Sequence, residues 1–419
     1  MSDQQNEARE TAATGRRDFL RAITLFGAGT VAGQVAFSRE VAAQSPESPQ
    51  TAAGVAAPQA SATPVTHYGP RSASGAVAEV YQKARAALYP TCRVCPECDG
   101  VACAGEYPGG IGGIGSGRSF QNNFTDLQQV TLAMRPLNDV GPLDKKPDTS
   151  TVLFGQRLSL PAMAAPVGGV AGTFKAKISD VDYFEAIIGG CADAGTLGSI
   201  GDSSLDPKDV LQARFDVIGR HGGRAIAGIK PRPQKNFVEM IRMAEAQNAA
   251  MITIDIDSAA RYGRGASPAT EMSTKTVAEL RELIRATKIP FLIKGIMTPE
   301  DAVLAAEAGA AGIVVSNHGG RVLDYTPGTA KVLPAIAKKV GGKMIILVDG
   351  CVHYGTDVLK YLALGANGVL VGRHLVRAAF GGGRKGVQLF METMRKELEA
   401  AMVMVGAANI RAVNRSILA

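Results

Sequence analysis

The chain has 419 residues, 46% of them hydrophobic and 20% charged, so it can bury a large core. It holds 49 glycines, no tryptophan and a formal net charge of +7. That basic excess suits an anionic cofactor or substrate, but it is spread along the chain and gives no nucleic-acid signature. The length admits two or three domains, or one large barrel with extensions.

At the N-terminus, Arg16-Arg17-Asp18-Phe19-Leu20-Arg21 precedes an apolar stretch from Ala22 to Phe37, interrupted by Gly27, Gly29 and Gly33. Paired arginines before a weakly apolar segment read as a twin-arginine (Tat) signal. The stretch is shorter than the ~20 residues of a spanning helix, and Val41-Ala42-Ala43 offers a small-residue cleavage site before Gln44. Residues 1–43 are therefore expected to be a signal peptide recognised by the Tat translocase. The protein is expected to be periplasmic or otherwise exported, crossing the membrane already folded with its cofactor in place. Residues 44–75 are rich in Pro, Ala, Ser and Thr without apolar periodicity and read as a linker.

Residues 76–150 form a Cys-rich and Gly-rich segment. Four of the chain's six cysteines, Cys92, Cys95, Cys98 and Cys103, fall within twelve residues. The spacing C-x2-C-x2-C-x4-C is similar to iron–sulfur or zinc ligation without matching the ferredoxin pattern. Disulfides or plain thiols are the alternatives, since an exported protein can oxidise its cysteines. The following GEYPGGIGGIGSGRSF is glycine-rich enough to be a lid, or simply a flexible connector. Cys191 and Cys351 sit in or beside barrel elements and read as structural.

Residues 151–419 read as a barrel domain. From Leu160 onward, eight short apolar runs alternate with longer amphipathic ones: 161–166, 196–200, 224–230, 250–257, 290–295, 312–317, 344–350 and 368–372. Repeated βα units over about 220 residues predict an α/β fold of the TIM (β/α)8-barrel type with a C-terminal helix. A doubly wound open sheet is the main rival, but the GxGxxG turn after its first strand is missing.

A (β/α)8 barrel builds its site from the C-terminal ends of its strands, so polar residues just after the apolar runs are the candidates. Run five carries Lys294, a buried cation that requires an anionic partner. Run six leads into Ser316-Asn317-His318-Gly319-Gly320-Arg321-Val322-Leu323-Asp324. An imidazole and a guanidinium three residues apart suit proton abstraction beside a carboxylate, with His318 taking the proton and Arg321 gripping the carboxylate through its fork. Runs seven and eight end in Asp349-Gly350 and Gly372-Arg373, where barrels commonly bind phosphate. These glycines also suit tight turns, and Arg373 favours the phosphate reading.

The segment IKGIMTPEDAVLAAEAGAAGIVVSNHGGRVLD, followed by LVDG and GTDVLKYLALGANGVLVGR, closely resembles the FMN-dependent 2-hydroxy-acid dehydrogenases and oxidases over roughly residues 150–415. The resemblance implies oxidation of a 2-hydroxy acid to the 2-oxo acid, with electrons passing through FMN to an unidentified acceptor. It implies His318 as the base, Arg321 on the substrate carboxylate and Lys294 at the N1 edge of the flavin. It places Ser316, Asp349, Gly350, Gly372 and Arg373 around FMN, with the backbone of Ala165, Pro166 and Val167 under the ring. Thr253 would contact the flavin and Asp255 would partner His318. Homo-tetramers are common in the family.

Three departures bear on the substrate. Gly228 and Lys230 stand where the family has a glutamine and a tyrosine, His353 stands at a phosphate-binding arginine, and Arg261 and Arg264 compete for the second substrate arginine. Alternative readings are therefore an FMN-dependent isomerase and a non-catalytic flavin or electron-relay protein.

Overall fold

The computed structural model describes residues 75–104, 111–141, 146–174, 178–202, 208–261 and 272–419. The expected signal, all but the last residue of the expected linker, and Arg264 lie outside the described residues, as does the side chain of Arg261.

Helix α1 (Gly75–Leu88) and helix α2 (Arg118–Gln128) precede a short hairpin of β1 (Thr151–Leu153) and β2 (Gln156–Leu158). Eight strands follow: β3 (Ala162–Ala164), β4 (Gly198–Gly201), β5 (Ala225–Ile229), β6 (Met251–Asp255), β7 (Phe291–Ile296), β8 (Gly312–Val315), β9 (Ile345–Val348) and β10 (Gly368–Val371). Each falls on one of the eight apolar runs. They pair in parallel in the order β3-β10-β9-β8-β7-β6-β5-β4. Ala164 N–H donates to Leu197 O across the remaining seam, bringing the sheet close to full closure. The fold is a (β/α)8 barrel, as the periodicity predicts.

Strand residues alternate between two apolar environments, the period-two rule applied to a closed sheet. Met163, Ile226, Met251, Leu292, Val314, Leu347 and Leu370 fill the barrel interior together with Leu153 and Leu158 of the hairpin. Their neighbours, among them Ala164, Ala227, Ile252, Ile293 and Ile313, belong to the outer core that the helices cover.

The helices are α3 (Val170–Phe174), α4 (Asp180–Asp193), α5 (Lys208–Arg220), α6 (Gln234–Ala246), α7 (Val277–Arg285), α8 (Pro299–Ala308), α9 (Thr329–Val340), α10 (Gly355–Ala363) and α11 (Arg373–Val405). Local chemistry starts several of them. Ser179 and Thr298 cap α4 and α8, and Thr276 with Glu279 forms a capping box on α7. The C-terminal helix α11 breaks at Gly383, whose φ of 55° and ψ of −147° are not helical. Among the described residues, no helix is long and apolar enough to cross a membrane.

Candidate active site

Strand β6 and its continuation set the acidic side of the site. Asp255 ends β6 and is the register partner of Lys294 on β7, so the two side chains share a face of adjacent strands. Lys294 Nζ lies 3.8 Å from Asp255 Oδ1 and 3.6 Å from Asp349 Oδ2. On its other side, Asp255 Oδ2 lies 3.6 Å from Lys230 Nζ. Burial alone would lower the Lys294 pKa, but the carboxylates of Asp255 and Asp349 outweigh it and the net shift is upward. Lys294 is thus a fixed buried cation, as expected from its place in the run.

The imidazole of His318 is held differently from the expectation. Its Nδ1 lies 3.0 Å from Oδ1 of Asp257, not of Asp255. Asp255 is committed to the strand register and its two lysines. Asp257 stands two residues further on, in the 3-10 turn Ile256–Arg261 that rises from the strand end and reaches the loop after β8. Burial raises the Asp257 pKa, with Lys294 and Lys230 opposing the shift. Burial, followed by the charge of Lys294, pushes the His318 pKa well below the ordinary imidazole value, so the ring is neutral at neutral pH. Neutral imidazole donating from Nδ1 to a carboxylate leaves the lone pair on Nε2.

The loop that carries His318 folds back on itself. His318, Gly319 and Gly320 all have positive φ, at 57°, 61° and 75°. For histidine this conformation is uncommon, and the surrounding contacts hold it. A Cβ on Gly319 would meet Arg373 Nη1 at 2.6 Å, and one on Gly320 would meet Phe120 N at 2.6 Å. These two glycines let the glycine-rich segment and β10's successor helix close on the loop.

The described part of that segment, from Ile111 onward, is docked on the loop. Ile114 N–H donates to Gly320 O at 2.8 Å, Ser116 binds Asp324 through its N–H (2.6 Å) and hydroxyl (2.8 Å), and Asn123 Nδ2 donates to Asn317 Oδ1 at 2.7 Å. Sequence reasoning missed Ser119 and Asn123, both fully buried. Polar residues on a helix give no sign of a distant loop partner.

The resulting cavity lies at the C-terminal ends of the strands. Ala165, Pro166 and Val167 line one wall, with Leu370 and Gly372 beside them. Lys294, His318, Arg321, Asp349 and Gly350 line another, and Ile111, Phe120 and Arg373 come from or face the docked segment. Thr253, Asp255 and Ser316 are buried behind this lining. Ser316 Oγ donates to Asp349 Oδ2 at 2.8 Å and accepts from His318 N–H at 3.0 Å, so it orders both groups.

Arg373 donates to Ile111 O from Nε (2.9 Å) and Nη2 (2.6 Å) and to Gly319 O at 3.0 Å, and its guanidinium lies 3.9 Å over the Phe120 ring. It tethers the docked segment and also lines the cavity beside Gly372. The four clustered cysteines are all free thiols, and together they line one small pocket that also contains Arg377. Arg377 Nη2 donates to Cys98 Sγ at 3.1 Å and to Cys92 Sγ at 3.6 Å. A guanidinium thus sits among the sulfurs of the cysteine cluster.

Gly228 supports the strand-three departure. A Cβ there would meet Pro166 Cβ at 2.3 Å, so Pro166 fills the space a side chain would need.

A parallel barrel with a neutral, carboxylate-anchored histidine, a buried lysine and an arginine at one mouth is the site of a (β/α)8-barrel enzyme equipped to move a proton beside an anionic group. The model of FMN-dependent dehydrogenases matches residues 110–273 and 262–419. A 2-hydroxyacid oxidase of Dictyostelium discoideum is 31% identical over 328 residues, spanning 71% of this chain and 81% of that protein. An L-lactate dehydrogenase of Caulobacter vibrioides is 31% identical over 356 residues, spanning 74% of this chain and 91% of its own. Among solved structures, a mandelate oxidase with benzoyl-formic acid superposes with a TM-score of 0.65 at 29% identity, covering 81% of this chain and 96% of that one. The chain belongs to the FMN-dependent dehydrogenase family. It is an FMN-dependent enzyme that oxidises 2-hydroxy acids at the CH–OH group.

The residues present fit FMN. Thr253 Oγ1 and Asp349 Oδ1 are buried without a hydrogen-bond partner, the latter on a carboxylate that faces Lys294. Buried polar atoms of this kind point to an absent polar ligand.

Proposed function

We propose that His318 is the base, taking a proton from the substrate at Nε2 while Nδ1–H donates to Asp257. The observation that carries this reading is the 3.0 Å contact between His318 Nδ1 and Asp257 Oδ1, which fixes the tautomer. Arg321, three residues along the same loop and at the cavity wall, binds the substrate carboxylate through its planar fork. Lys294, held between Asp255 and Asp349, and the backbone of Ala165, Pro166 and Val167 would hold the cofactor, the lysine supplying a positive charge to it. When bound, FMN supplies the acceptor for the two electrons released at the oxidised carbon. Asp349 and Ser316 hold the lysine and the histidine loop in register with one another.

A pH profile tests the base. Only neutral His318 can take the proton, and burial and Lys294 lower its pKa. Activity is therefore expected to stay high as pH falls through about 6.5, the ordinary imidazole value, and to drop only at lower pH. An acid limb in kcat/KM centred above that value would contradict a buried, neutral base.

Residues 1–43 we read as a twin-arginine signal, so that the enzyme works outside the cytoplasm after crossing folded. The paired arginines, the glycine-interrupted apolar stretch and Val41-Ala42-Ala43 support this. N-terminal sequencing of exported protein is expected to begin at Gln44. A chain that retains Met1 in the cytoplasmic fraction, with none outside, would rule the reading out.

A further inference from the structure

We infer that Cys98, His353 and His374 form a site for one borderline divalent transition-metal ion such as Zn²⁺, opening on the FMN cavity. One thiol sulfur and two imidazole nitrogens of these residues all lie within 4.8 Å of one another, and all three residues are buried. They come from three places in the chain. Cys98 belongs to the N-terminal cysteine segment, His353 to the loop between β9 and α10, and His374 to the first turn of α11.

The trio is built for a ligand and is not a chance apolar packing. The His353 and His374 rings are in contact, with centroids 4.1 Å apart. His374 Nε2 is buried and has no hydrogen-bond partner, while its Nδ1 lies 2.7 Å from the hydroxyl of Tyr81 on α1. With a metal on Nε2, Nδ1–H donates to that hydroxyl oxygen, the usual outer partner that orients a ligating imidazole. The Arg377 guanidinium, one helical turn after His374, donates to Cys98 Sγ and orients that donor atom. The backbone N–H groups of His353 and Tyr354 are fixed by Asp357 at 2.9 and 3.0 Å, which anchors the loop carrying the second imidazole.

Donor chemistry sets the class of ion. One sulfur and two nitrogens, with no carboxylate, suit zinc and its neighbours and not magnesium or calcium. Three protein ligands leave a fourth position, and all three residues line the cavity, so that position faces it. A metal-bound thiolate at Cys98 would offset the ion's charge only in part, and the Arg377 guanidinium stands beside it. The remaining positive charge would attract an anionic group from the cavity.

The test is a Co²⁺ titration of the full-length holoprotein after treatment with a chelator, Co²⁺ being a coloured stand-in for Zn²⁺. Expected are ligand-field bands at wavelengths beyond the flavin absorption, saturating at one ion per chain and abolished by Zn²⁺. Cys98→Ser and His374→Gln should each lose the bands, whereas Cys95→Ser and Cys103→Ser should keep them. His353→Gln serves as the third ligand variant should either of the first two fail to fold. Bands unchanged in the ligand variants would overturn the inference. So would loss of the bands in Cys95→Ser or Cys103→Ser, with iron and sulfide in the purified protein, because the cysteines would then hold a cluster. Thermal stabilisation by inorganic phosphate but not by Co²⁺ would overturn it in favour of an anion site.

Discussion

Replacing His318 with glutamine is expected to leave FMN bound and to slow its reduction by substrate on the order of 10²–10⁴-fold, the usual contribution of a positioned general base. The imidazole lines the cavity without contributing to the wall that Ala165, Pro166 and Val167 form, so losing it should spare cofactor affinity. The structure adds a second expectation about how the base is held. In Asp257→Asn, an amide N–H turned toward Nδ1 would force the proton onto Nε2 and remove the lone pair that does the work. Stopped-flow reduction of the two variants, each with a normal flavin spectrum, measures both effects. A His318→Gln enzyme that is reduced at the wild-type rate would remove His318 as the base.

The other large effect is expected at Lys294. Its ammonium is the counter-ion of Asp255 and Asp349, and all three groups are buried. Lys294→Met keeps most of the volume but removes the charge, leaving two carboxylates in the interior, with Lys230 still near Asp255. Breaking a buried ion pair from one side commonly costs about 3–5 kcal/mol, because the remaining charge has lost its compensation. Urea unfolding of the FMN-free variant should show a loss of that size, and FMN affinity should fall with it. Replacing Asp349 as well, in Lys294→Met with Asp349→Asn, should recover part of the stability by removing one orphaned carboxylate. A single variant as stable as wild type would mean that the carboxylates are already protonated in the native protein.

Much of this was legible in the sequence. All eight strands fall on apolar runs, because a strand buried on both faces must be apolar along its whole length. Lys294, His318, Arg321, Asp349, Gly350 and Gly372 were found from one rule, that a barrel's site sits just past the end of each strand. The rule fails where pairing depends on more than position along the chain. Asp255 and Asp257 are two residues apart, and only the three-dimensional register shows that Asp255 faces Lys294 while Asp257 reaches His318. Arg373 follows a strand and lines the cavity, and only the structure shows that it also grips the carbonyls of Ile111 and Gly319, far away in sequence. The cysteine spacing likewise gives no sign of Arg377 on the last helix, which donates to Cys98 and Cys92.

The most direct test of the account is an anaerobic visible spectrum of the purified protein before and after addition of L-lactate, glycolate and mandelate in turn, with propane-1,2-diol as a substrate analogue lacking the carboxylate. The account predicts a flavin spectrum that at least one of the acids bleaches and that the diol leaves intact, since Arg321 needs a carboxylate to grip. A flavin band that every acid leaves unchanged, or that the diol bleaches as readily as the acids, would contradict it.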